Sequence, residues 1–168
     1  MSAQNIVEEL TDQSSANQYL TFRIGNEDYG IKILSVQEIR GWETVARVPN
    51  TPAYIKGVLN LRGTAVPVID LRLRMDIIEP KYDITTVLIV VRAEIEGNER
   101  IASIVVDEVS DVMNADSNEI KKTPDFGDGV NTEFINGLVD VGGKMLMLFD
   151  VDNFMKHSDI YEESGEQI

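Results

Sequence analysis

Hydrophobic residues along this chain recur at the spacing of short strands. From Tyr19 they alternate, with Leu20, Phe22 and Ile24 on one side and Thr21 and Arg23 on the other, until the turn formers Gly25-Asn26-Glu27-Asp28 intervene. The run Tyr29-Gly30-Ile31-Lys32-Ile33 reads as the returning strand of a hairpin. Beyond it, Val36 and Ile39 lie three apart, the spacing of a single helical turn, which predicts a short turn or 3₁₀ segment over residues 34–39. Pro49 and Pro52 then force a bend or an edge, because proline cannot donate to a strand ladder.

The stretch from Ile55 to Leu71 organises the rest. Two apolar runs meet at Arg62-Gly63, where glycine supplies the positive φ of a tight turn, so a hairpin with an arginine at its tip is expected. Residues 135–151 match it without a gap at Ile55/Ile135, Gly57/Gly137, Gly63/Gly143 and Asp70/Asp150. Apolar positions agree as well, as in Val58/Leu138, Val66/Leu146 and Val68/Leu148, which identifies a structural repeat. A connection over Met75 to Asp83, broken by Pro80, carries no motif of its own.

The repeat extends upstream. Thr86 to Val91 is a continuous apolar strand, Glu94 to Glu99 a turn and Arg100 to Val106 the return strand. Ile31, Val36 and Ile39 align with Ile104, Val109 and Val112, so the order strand, turn, strand, helical turn, connection, hairpin is used twice. Asp116-Ser117-Asn118-Glu119 resembles a helix start, Gly127-Asp128-Gly129 a loop, and Val151 to Lys156 a short C-terminal helix docked by Phe154 and Met155. Residues 1–18 are expected to form a flexible tail, 19–155 the folded domain and 156–168 a C-terminal tail. With no long amphipathic crossover helix, the fold class expected is all-β, two small closed barrels rather than a parallel sheet.

Composition narrows the function. The 168 residues carry 29 acidic and 15 basic side chains, a net charge of −14, which repels a phosphate backbone. The densest basic group, Arg72 and Arg74 with Arg62, has no interleaved aromatics, so neither nucleic acid nor an anionic membrane is an expected partner. Cysteine is absent, no apolar run spans a bilayer, and Met1-Ser2-Ala3-Gln4-Asn5 lacks a signal peptide's basic region, so a cytoplasmic protein without direct membrane insertion is expected. His157 is the only histidine, which excludes histidine clusters and histidine triads. Asp107, Glu108 and Asp111 form an acidic cluster that reads as the solvated edge of a turn, with a divalent-cation site as the alternative. Asp125-Phe126-Gly127 lacks every companion motif of a kinase, and Gly142-Gly143-Lys144 lacks the frame of a phosphate loop. No cofactor, metal or catalytic residue is therefore assigned. Val36, Glu38, Ile39 and Arg62 stand out by joining apolar area to two opposite charges.

Three blocks, Tyr29 to Gly41, Asn50 to Gly63 and Val66 to Leu71, resemble the CheW family of bacterial chemotaxis coupling proteins, close to its enteric-type single-domain adaptors. The likeness continues through Ile104 to Val112 and covers about Tyr19 to Met155. It implies two intertwined five-stranded SH3-like β-barrels with short helical turns. It also implies a non-enzymatic scaffold that couples transmembrane chemoreceptors to the histidine kinase CheA, held at the inner face of the membrane through receptor arrays. Carried over residue by residue, the receptor's cytoplasmic hairpin tip would meet Val36, Glu38, Ile39 and Arg62, with Val105 nearby, in the groove between the barrels. The kinase's regulatory domain, itself a homologue of the coupling protein, would be met near Gly57. Two alternatives stay open: an isolated CheA-type regulatory module that binds only kinase, and a small metalloenzyme built on the acidic cluster.

Overall fold

In the computed structural model, which describes residues 17–76, 79–124 and 133–156, ten strands build two five-stranded sheets. Residues 1–16 of the predicted N-terminal tail, the Asp125-Phe126-Gly127 string and its glycine loop, His157 and the C-terminal end lie outside the described residues, whereas Gln18 already belongs to the first strand. In chain order the strands are β1 (Gln18–Ile24), β2 (Glu27–Lys32), β3 (Val36–Gly41), β4 (Ile55–Leu61), β5 (Thr64–Asp70), β6 (Val87–Ile95), β7 (Asn98–Val106), β8 (Glu108–Asn114), β9 (Ile135–Val141) and β10 (Lys144–Phe149). Helix α1 (Leu71–Arg74) follows β5, and α2 (Val151–Lys156) follows β10.

The first sheet runs β8-β1-β2-β10-β9 and the second β3-β6-β7-β5-β4. Each curls into an SH3-like barrel, and each draws strands from both halves of the repeat. The first hairpin of one half joins the last three strands of the other, so neither half is complete alone. The exchange is locked by one parallel pair per barrel, β10 on β2 through Leu148 opposite Gly30, and β5 on β7 through Val68 opposite Ser103. The Gly63 and Gly143 turns, each between two antiparallel strands, fall in different barrels.

One expectation is corrected. The 3₁₀ turn covers Ile33–Ser35 only, and Val36 opens β3, so Val36 and Ile39 do not share a helical turn. A β-bulge explains their spacing: Val36 pairs with Val91 but Glu38 with Val90, so Gln37 is an extra residue that flips the following side chains. Both Val36 and Ile39 therefore enter the same core. The second half repeats the device in β8, where Val109 and Asp111 pair with Phe22 and Thr21 around Ser110, so, of the aligned residues, 108–112 are extended as well, after a bend at Asp107. Ser117–Glu119, foreseen as a helix start, is a 3₁₀ turn whose Glu119 carboxylate accepts from the Asp116 N–H at 3.0 Å.

The largest core cluster lies between the sheets. It takes Leu20, Phe22, Ile31 and Phe149 from the first barrel and Ile69, Ile89, Val91 and Ile104 from the second, with Phe154 and Met155 of α2. Smaller clusters fill the barrels themselves, Tyr19, Val139, Leu146 and Leu148 in the first, and Leu59, Val68, Leu88 and Val105 with Leu61, Val66 and Val90 in the second. No described helix is long and apolar enough to cross a membrane.

A buried charge network ties the barrels together. Arg72, fully buried, donates from Nε and Nη2 to the two Asp70 oxygens, both at 2.9 Å, and from Nη1 to Asp107 at 2.7 Å. The other Asp107 oxygen accepts the N–H of Gly25, in the β1–β2 turn, at 2.7 Å. Burial alone would lower the Arg72 pKa, but hydrogen bonds to Asp70 and Asp107 raise it, so the guanidinium stays charged. The basic group read from the sequence thus disperses: Arg72 is interior, Arg74 lies over the rings of Tyr54 and Phe134, and Arg62 stands on its hairpin tip.

Candidate functional site

Residues singled out from the sequence fall on two sides of β3. Val36 and Ile39 face the core between the barrels, whereas Glu38, opposite Val90, turns toward the interior of the second barrel. The turn between β4 and β5 lies above it. Its geometry is set by Gly63 at φ +88° and by Arg62 in the left-handed region at φ +51°, while the Asn60 side chain accepts the Gly63 N–H at 2.9 Å.

This turn brings Arg62 Nη1 to 3.4 Å from Glu38 Oε1. The pair is unequal: the Arg62 side chain is 75% exposed and that of Glu38 only 9%. Glu38 Oε1 has no aligned hydrogen-bond donor, so the contact is an ion pair across the barrel mouth rather than a hydrogen bond. A carboxylate with little water and one exposed cation as counter-charge is poorly compensated. A group that brings donors to it, or that orders Arg62 over it, gains from that deficit.

Val105 is fully buried between Leu59, Val68 and Leu88, so it presents no side chain to a partner in this conformation. Gly57 is buried in β4 at φ +145°, and a Cβ there would overlap the carbonyl oxygen of Ala46. Ala46 belongs to the connection after β3, which pins itself to the free edge of β4 by exchanging hydrogen bonds with Val58, at 2.8 and 3.3 Å. Gly57 therefore serves the segment crossing over it. The same bridge recurs in the first barrel, where Lys121 exchanges bonds with Leu138 beside Gly137.

The acidic cluster does not converge. Asp107 is held by Arg72 and Gly25, Glu108 lies 3.9 Å from Arg23, and Asp111 accepts the N–H of Val112. Among the described residues no group of three or more His, Cys, Asp or Glu is placed to hold a metal ion. Sequence reading missed the Asp70–Arg72–Asp107 network and Tyr82, whose hydroxyl donates to Asp70 at 2.5 Å. The available signal was Asp70-Leu71-Arg72 at a strand-to-helix junction, where an N-cap aspartate can hold the side chain two residues on as well as its amide.

Comparison with known proteins follows the fold. The CheW-like domain family matches residues 18–159. The chemotaxis protein CheW of Klebsiella aerogenes is 42% identical over 154 residues, covering 92% of this chain and 90% of that protein. The chemotaxis protein CheW of Rhizobium meliloti is 30% identical over 149 residues, covering 89% and 92%. Among solved structures, the scaffolding protein TtCheW of Thermoanaerobacter tengcongensis superposes with a TM-score of 0.73 at 30% identity, over 86% of this chain and 94% of that one.

Proposed function

The chain belongs to the CheW family of chemotaxis scaffolds, and from that premise we propose that it couples transmembrane chemoreceptors to the histidine kinase CheA without catalysing a reaction. The tip of the receptor's cytoplasmic hairpin docks at the groove along β3, with Arg62 and Glu38 at its rim and the backbone over Val36 and Ile39 as its floor. Val105, packed with Leu59, Val68 and Leu88 inside the second barrel, contributes through that packing and not by direct contact. The kinase's regulatory domain docks on the face carried by the connection that Gly57 holds. The protein works in the cytoplasm and reaches the membrane's inner face through its receptors.

The observation that carries the receptor site is the pair itself, an exposed arginine held 3.4 Å from a nearly buried, under-hydrogen-bonded carboxylate. Arginine at such a rim can meet a partner carboxylate with a planar fork, and a partner donor can satisfy Glu38. Neither gain is available to a lone solvated tip.

The test is a pair of titrations, with a receptor cytoplasmic fragment and with the kinase regulatory domain. Arg62→Ala is expected to weaken receptor binding by about thirtyfold, roughly 2 kcal/mol, and to leave kinase affinity unchanged. Alanine is preferred to glutamate here, since a second carboxylate beside Glu38 adds a folding cost from like-charge repulsion. Unchanged receptor affinity in a folded variant refutes the site, and equal loss of both partners assigns the hairpin to the fold instead.

A further inference from the structure

The two barrels share one plan, which makes the place where they part informative. In the second barrel, the end marked by Leu88 opposite Val105 is closed by Tyr82 and by the guanidinium of Arg72, seated on Asp70 and Asp107 and 5.0 Å from the Tyr82 ring. In the first, the corresponding end is marked by Tyr19 opposite Lys32. Asp150 there stands in Asp70's position: its N–H donates to Phe134 O at 2.7 Å, as that of Asp70 donates to Tyr54 O at 2.7 Å. Asp152 then occupies the position of Arg72, so a carboxylate replaces the plug.

What remains is a half-open cavity of about 350 Å³ lined by Tyr19, Ser35, Asp150 and Asp152, with exposed Lys32 and Lys156 beside them. Tyr19 is only 5% exposed and its hydroxyl has no hydrogen-bond partner among the described residues. One Asp150 oxygen accepts the Asn153 N–H at 3.0 Å, but none of the guanidinium and phenol donors that saturate Asp70 reaches Asp150. Asp150 is half-buried, and its carboxylate and the Tyr19 hydroxyl both border the cavity, so they can take donors from a group that enters it.

We propose that this cavity is a binding site for an arginine side chain of a partner protein, which takes in the first barrel the place that Arg72 fills in the second. A guanidinium offers a planar fork to Asp150 and Asp152 and a further N–H to the Tyr19 hydroxyl, whereas an ammonium spreads its donors from one point. Lys32 and Lys156 favour an acidic residue next to that arginine. An anion alone is disfavoured by the two carboxylates. The site is on the first barrel, away from Arg62, and its failure would leave the coupling proposal untouched.

The test is an NMR titration of the full chain, ¹⁵N-labelled, with N-acetyl-Arg-Glu-amide. Saturable shifts are expected at the amides of Tyr19, Ser35 and Asn153, with N-acetyl-Lys-Glu-amide weaker by about fivefold or more. Asp152→Asn, at an exposed position, and Tyr19→Phe, which removes one oxygen, are each expected to weaken binding by about threefold or more. Asp150→Asn is left aside because Asp150 caps α2. Absence of saturable shifts, equal affinity for the lysine dipeptide, or unchanged affinity in both folded variants overturns the proposal.

Discussion

Replacing Gly57 by alanine should dislodge the connection between β3 and β4 while leaving the barrel intact. The added Cβ would overlap the Ala46 carbonyl oxygen and lie 2.7 Å from its carbonyl carbon, and both are backbone atoms that no rotamer can move. Relief requires the chain at Ala46 to move away, which breaks the two bonds it exchanges with Val58. Losing two backbone hydrogen bonds at a solvent-accessible edge costs about 1–2 kcal/mol, and a non-glycine residue at φ +145° adds about 1–2 kcal/mol of strain. A total near 3 kcal/mol follows.

Gly137 supplies the internal control. Its added Cβ would meet Ile120 Cγ2 at 2.7 Å, a methyl on a half-buried β-branched side chain that must shift but is not backbone, and Lys121 O only at 3.4 Å. Gly137→Ala should therefore cost about 1 kcal/mol and keep its bridge. Urea unfolding gives the two stabilities, and amide exchange at Val58 and Leu138 reports each bridge separately. In the coupling proposal, Gly57→Ala also weakens the kinase and spares the receptor. Equal destabilisation by the two variants, or a protected Val58 amide in Gly57→Ala, would refute the reasoning.

Two further outcomes follow from the buried network. Arg72→Met should destabilise the fold by about 3–5 kcal/mol in urea, because Asp70 loses its counter-charge while fully buried and Asp107 loses it while partly buried, whereas Asp107→Asn, which keeps an acceptor, should cost less. Tyr82 has its pKa pushed up by burial and by its bond to Asp70, so the folded state holds that proton more tightly than the unfolded chain; stability should be level up to about pH 10 and fall above it, and Tyr82→Phe should make that alkaline slope in the urea midpoint shallower.

The hairpin repeat could be read from the sequence because its glycines answer to a backbone demand. Gly63 and Gly143 sit at φ +88° and +87°, and Asn60 and Asp140 at matched positions each accept the turn glycine's N–H, so pattern and geometry carry the same information. The bulges could not be read. An extra residue in a strand puts side chains three apart on one face, a spacing identical to that of a helical turn, and only the register against β6 or β1 tells them apart. Strand exchange was equally invisible to local pattern, since β2 and β7 have the same apolar faces whichever half supplies their neighbours; it entered only through the family resemblance. At the site, charge and apolarity marked Glu38 and Arg62, but their 3.4 Å approach depends on how the hairpin folds over β3.

The repeat also sorts its residues by what constrains them. Positions alike in both halves are those the backbone requires: Gly57 and Gly137 beneath a crossing segment, Gly63 and Gly143 in turns, Asp70 and Asp150 at helix caps. Positions that differ between the halves in charge or burial are not held to that backbone demand. Arg62 corresponds to Gly142, at φ +51° and +58°, so the turn accepts either residue and the arginine is there for something other than the turn. Glu38 corresponds to Asp111, yet Asp111 is exposed and accepts its neighbour's amide, whereas Glu38 is nearly buried and its Oε1 has no hydrogen-bond donor. Arg72 corresponds to Asp152, which exchanges a plug for an open cavity. The departures at Arg62 and Arg72 change charge and that at Glu38 changes burial, so the two barrels present different surfaces on one shared plan.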